Sequence, residues 1–231
     1  MLNKFSYSRV CSLEQLYIVE KLDPEKITVD EKVKMEAARL DKISVNKNPC
    51  PWMNPATLGL KVCSFNTLSL RKHMEDVRSD PVLLQSDILC LQETWLEDGE
   101  EKDERFQMEG FRAHFVSVGR GKGLAVYVKR ELRGVMNSVS KFGEENIQLV
   151  KVDMRKLDLI AIYRSKEEPL YRATHHLKNF INPDKDTLVI GDVNFGANEV
   201  NDMSNFLARA GFTQLVTLPT HIRGGIDIGS F

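Results

Sequence analysis

The chain has 231 residues, 42% of them hydrophobic, and its 32 Lys and Arg against 33 Asp and Glu leave a formal net charge of -1. Such a length and apolar content suffice for one sizeable core and exclude global disorder, while the balanced charge excludes bulk attraction to nucleic acid and leaves only a local basic face. No apolar run reaches the ~18–20 residues that span a bilayer, and the opening "MLNKFSYSRV" lacks the apolar stretch of a secretory signal.

Residues 1–45 are rich in Lys and Glu, and within them "TVDEKVKMEAARLDKI" predicts a helix. Thr28 and Glu31 have capping-box spacing, and Val33, Ala37 and Leu40 fall on one face. The next stretch, residues 46–59, carries prolines and asparagines in "NKNPCPWMNPATLG" and reads as a linker. Residues 60–231 then alternate strands and helices as one domain.

In that domain "LKVCSFNT" alternates like a strand and "SDILCLQET" is a short apolar run typical of a buried one. "AHFVSV" and "GLAVYVKREL" predict two strands joined by the basic turn "GRGKG". "IQLVKVDM" and "KLDLIAIYR" predict a further hairpin, "LYRATHHLKNFI" a helix, and "DTLVIGDVN" the next strand. "MSNFLARAG" predicts a helix stopped by Gly211. Hairpins with interspersed helices imply an α/β (α+β) domain, two stacked β-sheets covered by helices. The cysteines Cys11, Cys50, Cys63 and Cys90 form no C-x-x-C pair and read as reduced thiols of an intracellular protein.

Acids and amides recur where apolar strands end: Asn66 after "VCSF", Glu93 after "ILCLQ", Asp192 and Asn194 after "LVIG", and Asp227 in "GGIDI". Strand ends let a rigid scaffold present side chains into a cleft. Carboxylate and amide oxygens suit Mg²⁺, which binds through one or two carboxylates and keeps its waters. Any one of these residues also fits a plain strand cap or turn.

Six stretches, "CSFNTLSLRK", "DILCLQETWL", "GLAVYVK", "LIAIYRS", "VIGDVNFGANE" and "GFTQLVTLPTHIRGGID", resemble in that order the motifs of the endonuclease/exonuclease/phosphatase superfamily. This is the superfamily of DNase I, the apurinic endonucleases and the retrotransposon endonucleases. The resemblance implies a DNase I-like four-layer sandwich with two mixed sheets flanked by helices, and Mg²⁺-dependent hydrolysis of DNA, with Mn²⁺ as an alternative ion. It implies Glu93 as principal metal ligand with Asn66 beside it, Tyr163 at the scissile phosphate, and Asp192 on the attacking water. Asn194 would hold phosphate and water, and Asp227 would orient a histidine arriving in a later S-D-H motif. That motif is absent before Phe231, so the expectation is a domain lacking its last strand. His221 and Arg223 of "PTHIRGG" would contact the substrate strand, with Arg71, Lys72, Arg120, Lys122 and Arg164 along the phosphate path.

The stretch "YSRVCSLEQLYIVEKLDPEKI" resembles the closing motif of Pif-type DNA helicases, in which Arg9 would reach the γ-phosphate of ATP. No G-x-x-x-x-G-K-[ST] loop accompanies it, so the expectation is a helicase remnant. Helicase tail, linker and endonuclease-like domain in series resemble a Helitron/Helentron transposon protein, which implies a nuclear protein with DNA as partner. The rival expectations are a catalytically dead fragment that only binds nucleic acid and a superfamily phosphatase on a small substrate. Oligomeric state is open at this point.

Overall fold

A computed structural model describes residues 59–196 and 199–216, and the strand pairing of residues 221–223 and 226–228. The chain divides into two compact units, Met1–Pro51 and Trp52–Phe231, and every described residue belongs to the second. Arg9, the helix expected from Thr28 and the proline-rich linker up to Leu58 lie outside the described residues.

The domain is built from two four-stranded mixed sheets. The first has the order β1 (Val62–Asn66), β2 (Ile88–Gln92), β4 (Leu124–Lys129), β3 (Phe111–Val116). β1 and β2 are parallel, and the other two pairings are antiparallel. The second has the order β5 (Met136–Glu144), β6 (Ile147–Met154), β7 (Leu157–Arg164), β8 (Asp186–Asp192), with β7 and β8 parallel and the rest antiparallel. Helices α1 (Leu70–Ser79) and α2 (Pro81–Gln85) follow β1, α3 (Leu170–Phe180) joins β7 to β8, and α4 (Asp202–Arg209) follows β8. A short ribbon, β9 (His221–Arg223) and β10 (Ile226–Ile228), pairs Asp227 with Ile222.

Strand periodicity builds the layers. Successive side chains of a strand point to opposite faces, so each central strand feeds two cores. Leu89 and Leu91 of β2, with Ala125 and Tyr127 of β4, pack under Leu70, Met74 and Val77 of α1. The alternate residues Ile88, Cys90, Leu124, Val126 and Val128 meet Val150, Val152, Leu159 and Ala161 of the second sheet. Beyond that sheet, Leu149, Ile160 and Ile162 pack with Ala173 and Leu177 of α3 and Met203 and Leu207 of α4. The order is therefore helix, sheet, sheet, helix, as expected. Each fully buried Leu, Ile or Val contributes about 1.5–3 kcal/mol of transfer free energy. Cys90 lies in the middle layer, and burial pushes its thiol far above the usual range.

Elements absent from the sequence reading have physical reasons. Helix α1 carries only three buried apolar residues in ten, Leu70, Met74 and Val77, among seven polar ones. Strand β5, "MNSVSKFGE", is an edge strand in the second sheet, exposed at five of nine positions and irregular between Met136 and Ser138. Such an edge needs no apolar alternation on both faces. Helix α4, expected from "MSNFLARAG", begins with a full capping box from Asn201 and Ser204, and Gly211 follows its C-terminus at φ 84°.

β7 and β8 approach closely just before the polar end of β8. Gly191 has φ 147°, and a Cβ there would lie 1.9 Å from the carbonyl oxygen of Ile162. Only glycine allows Asp192 to emerge beside Tyr163, its registered partner. Gly191→Ala is expected to destabilise the domain by at least about 1–3 kcal/mol, the scale of a forced backbone conformation. Chemical denaturation checks this through a lower midpoint at unchanged slope.

Candidate active site

The C-terminal ends of four strands converge. β1 ends at Asn66 opposite Gln92, the last residue of β2, so Glu93 follows next to Asn66. β7 places Tyr163 opposite Asp192 on β8. Asn66 joins the two sheets: its Nδ2 donates to Glu93 Oε1 at 2.7 Å and to Asp192 Oδ2 at 3.2 Å. Its Oδ1 accepts from the backbone N–H of Leu68 at 3.0 Å, which fixes the orientation of the amide. Asn66 thus sits between the carboxylates as a donor, with its oxygen turned to the backbone.

The remaining carboxylate oxygens are held one by one. Asp192 Oδ1 accepts from the backbone N–H of Asn194 at 3.0 Å, and Glu93 Oε2 from the indole Nε1 of Trp95 at 3.4 Å. Asn194 donates its own Nδ2 to the Arg164 carbonyl at 2.8 Å. Arg164 is 7% exposed. Its guanidinium donates to the carbonyls of Val193 and Glu168 at 2.7 and 2.9 Å, so those donors brace the turn after β8 rather than point to solvent. Burial pulls the Arg164 pKa below its usual value, offset by Glu168, Glu199, Asp192 and Glu167.

Backbone strain gathers at the same strand ends. Among the described residues, the non-glycine positions with positive φ are Leu68 (48°), Ser69 (100°), Glu93 (51°), Trp95 (58°) and Asn194 (53°). Each conformation costs on the order of 1–3 kcal/mol and persists only where neighbours over-determine it. The neighbours are visible. Thr67 and Ser69 donate their N–H groups to the carbonyls of Gln92 and Glu93, both at 2.9 Å, and Trp95 N–H bonds the Lys122 carbonyl at 2.9 Å.

The glycine-bearing turn 119–123 therefore lies against the turn that carries Glu93. Tyr163 reaches it as well, donating its hydroxyl to the Gly121 carbonyl at 3.1 Å. Burial pushes the Tyr163 phenol well above its ordinary value of 10.0, and the carboxylates of Glu93, Asp192 and Glu167 raise it further. Tyr163 is a neutral phenol beside two carboxylates. The exposed Arg120 lies 6.0 Å from the Trp95 ring centroid, and Lys72 of α1 lies 5.8 Å from it. Arg71 is paired with Glu100 at 2.6 Å and Lys122 with Glu145 at 2.7 Å.

The structure brings together Asn66, Glu93, Tyr163, Asp192 and Asn194, with Arg164 behind them. His221, Arg223 and Asp227 are placed on the β9–β10 ribbon by backbone pairing alone. Of the other described histidines, His73 pairs with Asp76 at 2.8 Å and His176 stacks on Phe142 at 4.3 Å. Trp95 was not singled out from the sequence; its signal was an aromatic two residues after the strand-end glutamate, in "ETW".

Among the described residues no group of three or more His, Cys, Asp or Glu side chains forms a cage for a metal. The donor set is instead two carboxylates from different sheets reached by one amide nitrogen. Hard oxygens in this number fit Mg²⁺, which demands few protein ligands and keeps several waters.

A family model described as "Endonuclease/Exonuclease/phosphatase family" matches residues 63–214. Among solved structures, the chain is similar to an AP endonuclease from Archaeoglobus fulgidus, with 23% identity, a TM-score of 0.47, and coverage of 64% of this chain and 63% of that one. It is similar to the endonuclease domain of TRAS1, a telomere-specific non-LTR retrotransposon, with 15% identity, a TM-score of 0.48, and coverage of 73% and 82%. The 3′ phosphatase NExo from Neisseria, bound to a product DNA hairpin, has 17% identity, a TM-score of 0.46, and coverage of 61% and 60%. The chain thus spans under two thirds of the archaeal and Neisseria proteins. No curated protein matches it.

The raised Tyr163 pKa carries a pH consequence. Ionisation is disfavoured only in the folded state, so its contribution to stability is fully present below pH 10.0 and is lost as pH rises through the folded value. Tyr163→Phe is expected to leave the amplitude of phenolate absorbance developing near pH 10 unchanged in the folded protein. An ultraviolet pH titration of both proteins checks this.

Proposed function

The chain belongs to the endonuclease/exonuclease/phosphatase family, and from that premise we propose that this strand-end cluster hydrolyses phosphodiester bonds in DNA. The observation that supports the reading best is the Asn66 amide, which holds Glu93 of one sheet and Asp192 of the other within reach of a single nitrogen. Glu93 would hold a divalent ion, Mg²⁺ or Mn²⁺, with Asn66 orienting it. A bound ion supplies charge neutralisation at the phosphate and lowers the pKa of water.

This chain's own groups would do the rest. Asp192, oriented through Oδ1 by the Asn194 N–H, accepts a proton from the attacking water. Tyr163, kept a phenol by burial and its carboxylate neighbours, would exchange its bond to the Gly121 carbonyl for one to a phosphate oxygen. Asn194 and Arg164 keep the turn after β8 in its strained form. Lys72 and Arg120, on either flanking element, meet the phosphates of the strand. By the same likeness Asp227 would orient an imidazole, and His221 and Arg223 would contact the strand.

The helicase-like residues 1–45, with Arg9, and the transposon resemblance extend this to a helicase–endonuclease protein of the nucleus. The cations beside the cluster and the "PTHIRGG" stretch favour a polynucleotide over a small phosphate ester.

The purified chain is expected to nick supercoiled plasmid with Mg²⁺ and to stop when the ion is chelated. Glu93→Ala and Asp192→Ala are each expected to lower the rate by about 10²–10⁴. Hydrolysis of a small phosphomonoester without nicking would move the reading to a phosphatase. Salt-dependent DNA binding with neither activity would leave a binding protein. In that binding assay, Lys72→Ala and Arg120→Ala are each expected to reduce the log–log salt slope by about 1.

A further inference from the structure

We propose that Trp95 is a positioning residue for Glu93, its indole N–H setting the carboxylate orientation in which the divalent ion is held. The inference rests on the reading of Glu93 as metal ligand. Glu93 has two oxygens and two side-chain donors: Asn66 Nδ2 on Oε1 at 2.7 Å and Trp95 Nε1 on Oε2 at 3.4 Å. The second bond lies at the long end of the hydrogen-bond range.

Three further features hold the indole where it can act. Trp95 adopts φ 58°, and Glu93 adopts φ 51° two residues earlier. Both residues of this short turn therefore sit in the left-handed region, which turns the indole back over the glutamate. The turn is locked by Trp95 N–H to the Lys122 carbonyl at 2.9 Å and Thr94 N–H to the Gly123 carbonyl at 3.3 Å. Gly123 is itself constrained, since a Cβ there would meet Thr94 Oγ1 at 2.4 Å. The ring then lies between two elements that supply cations, Lys72 from α1 and Arg120 from the glycine turn. Cations near an aromatic face are attracted to it.

Such an arrangement has a chemical purpose. A carboxylate that binds an ion through one oxygen needs its other oxygen fixed, because free rotation about the last side-chain bond spreads the ligand over many directions. A donor on the outer oxygen supplies that constraint, and loss of such a partner typically weakens metal binding about 10–100-fold. Trp95→Phe removes the N–H and leaves a smaller aromatic ring on the same backbone.

The test is Mn²⁺ binding to the full chain without DNA, read by electron paramagnetic resonance. Wild type, Trp95→Phe and Glu93→Gln are compared, with thermal melts in chelator to confirm folding. The expected result is Mn²⁺ binding weakened about tenfold or more in Trp95→Phe and lost in Glu93→Gln. Mn²⁺ affinity of Trp95→Phe equal to wild type, with loss in Glu93→Gln, would overturn this inference and spare the metal reading. Equal affinity in all three proteins, or none in the wild type, would overturn both.

A second measurement keeps the indole intact. Trp52 and Trp95 are the two tryptophans of the chain, so Trp52→Phe leaves Trp95 as sole emitter. Its emission is expected to shift on saturation with Mg²⁺, and a flat response in a protein that binds Mn²⁺ would overturn the inference.

Discussion

A single amide governs the site. Asn66 Nδ2 is shared between Glu93 and Asp192, two carboxylates that would repel if brought together without a donor between them. Like charges at close range cost several kcal/mol in a poorly solvated setting. The amide offsets this by presenting positive partial charge to both, and the Leu68 N–H keeps it from turning its oxygen inward. Much else follows. β1 must end beside β2, α1 must begin immediately after, and β8 must stop level with both.

The strain in these turns is the counterpart of that demand. Asn66, Glu93 and Asp192 are each followed or occupied by left-handed backbone, at Leu68, Glu93 and Asn194. A strand that simply continued would carry its polar side chain past the cleft. A left-handed residue turns the chain at once and leaves the side chain aimed inward. Hydrogen bonds within the turns, Leu68 to Asn66 and Asn194 to Asp192, are joined by bonds between turns: Ser69 to Glu93, Trp95 to Lys122, Tyr163 to Gly121. The turns are therefore one coupled unit.

Much of the fold was legible in the sequence, for identifiable reasons. Strands β2, β4 and β7 are buried on both faces and read as continuous apolar runs. Helix α4 announced its end through Gly211. Helix α1 did not read, because three buried residues in ten suffice when a sheet covers the whole of one side. Strand β5 did not read, because an edge strand exposed at most positions has no apolar period to detect. In the site, strand ends and motif likeness pointed to Asn66, Glu93, Tyr163, Asp192 and Asn194, which the fold brings together. The direction of the Asn66 amide was not legible, since a backbone N–H two residues on decides it. The burial of Arg164 was equally hidden, because its acceptors are carbonyls in two separate turns.

The layer between the sheets has a mechanical meaning for the cluster at its end. Glu93 rides on the sheet that carries Ile88, Cys90 and Val126, and Asp192 on the sheet that carries Val150, Val152 and Ala161. The spacing of the two acids is thus set by how one sheet slides over the other. Close-packed interiors transmit such shifts instead of absorbing them. Val150 pairs with Ala161, two residues before Tyr163, so the packing of this layer runs directly up to the level of Asp192. The middle layer acts as a caliper whose jaws are Glu93 and Asp192.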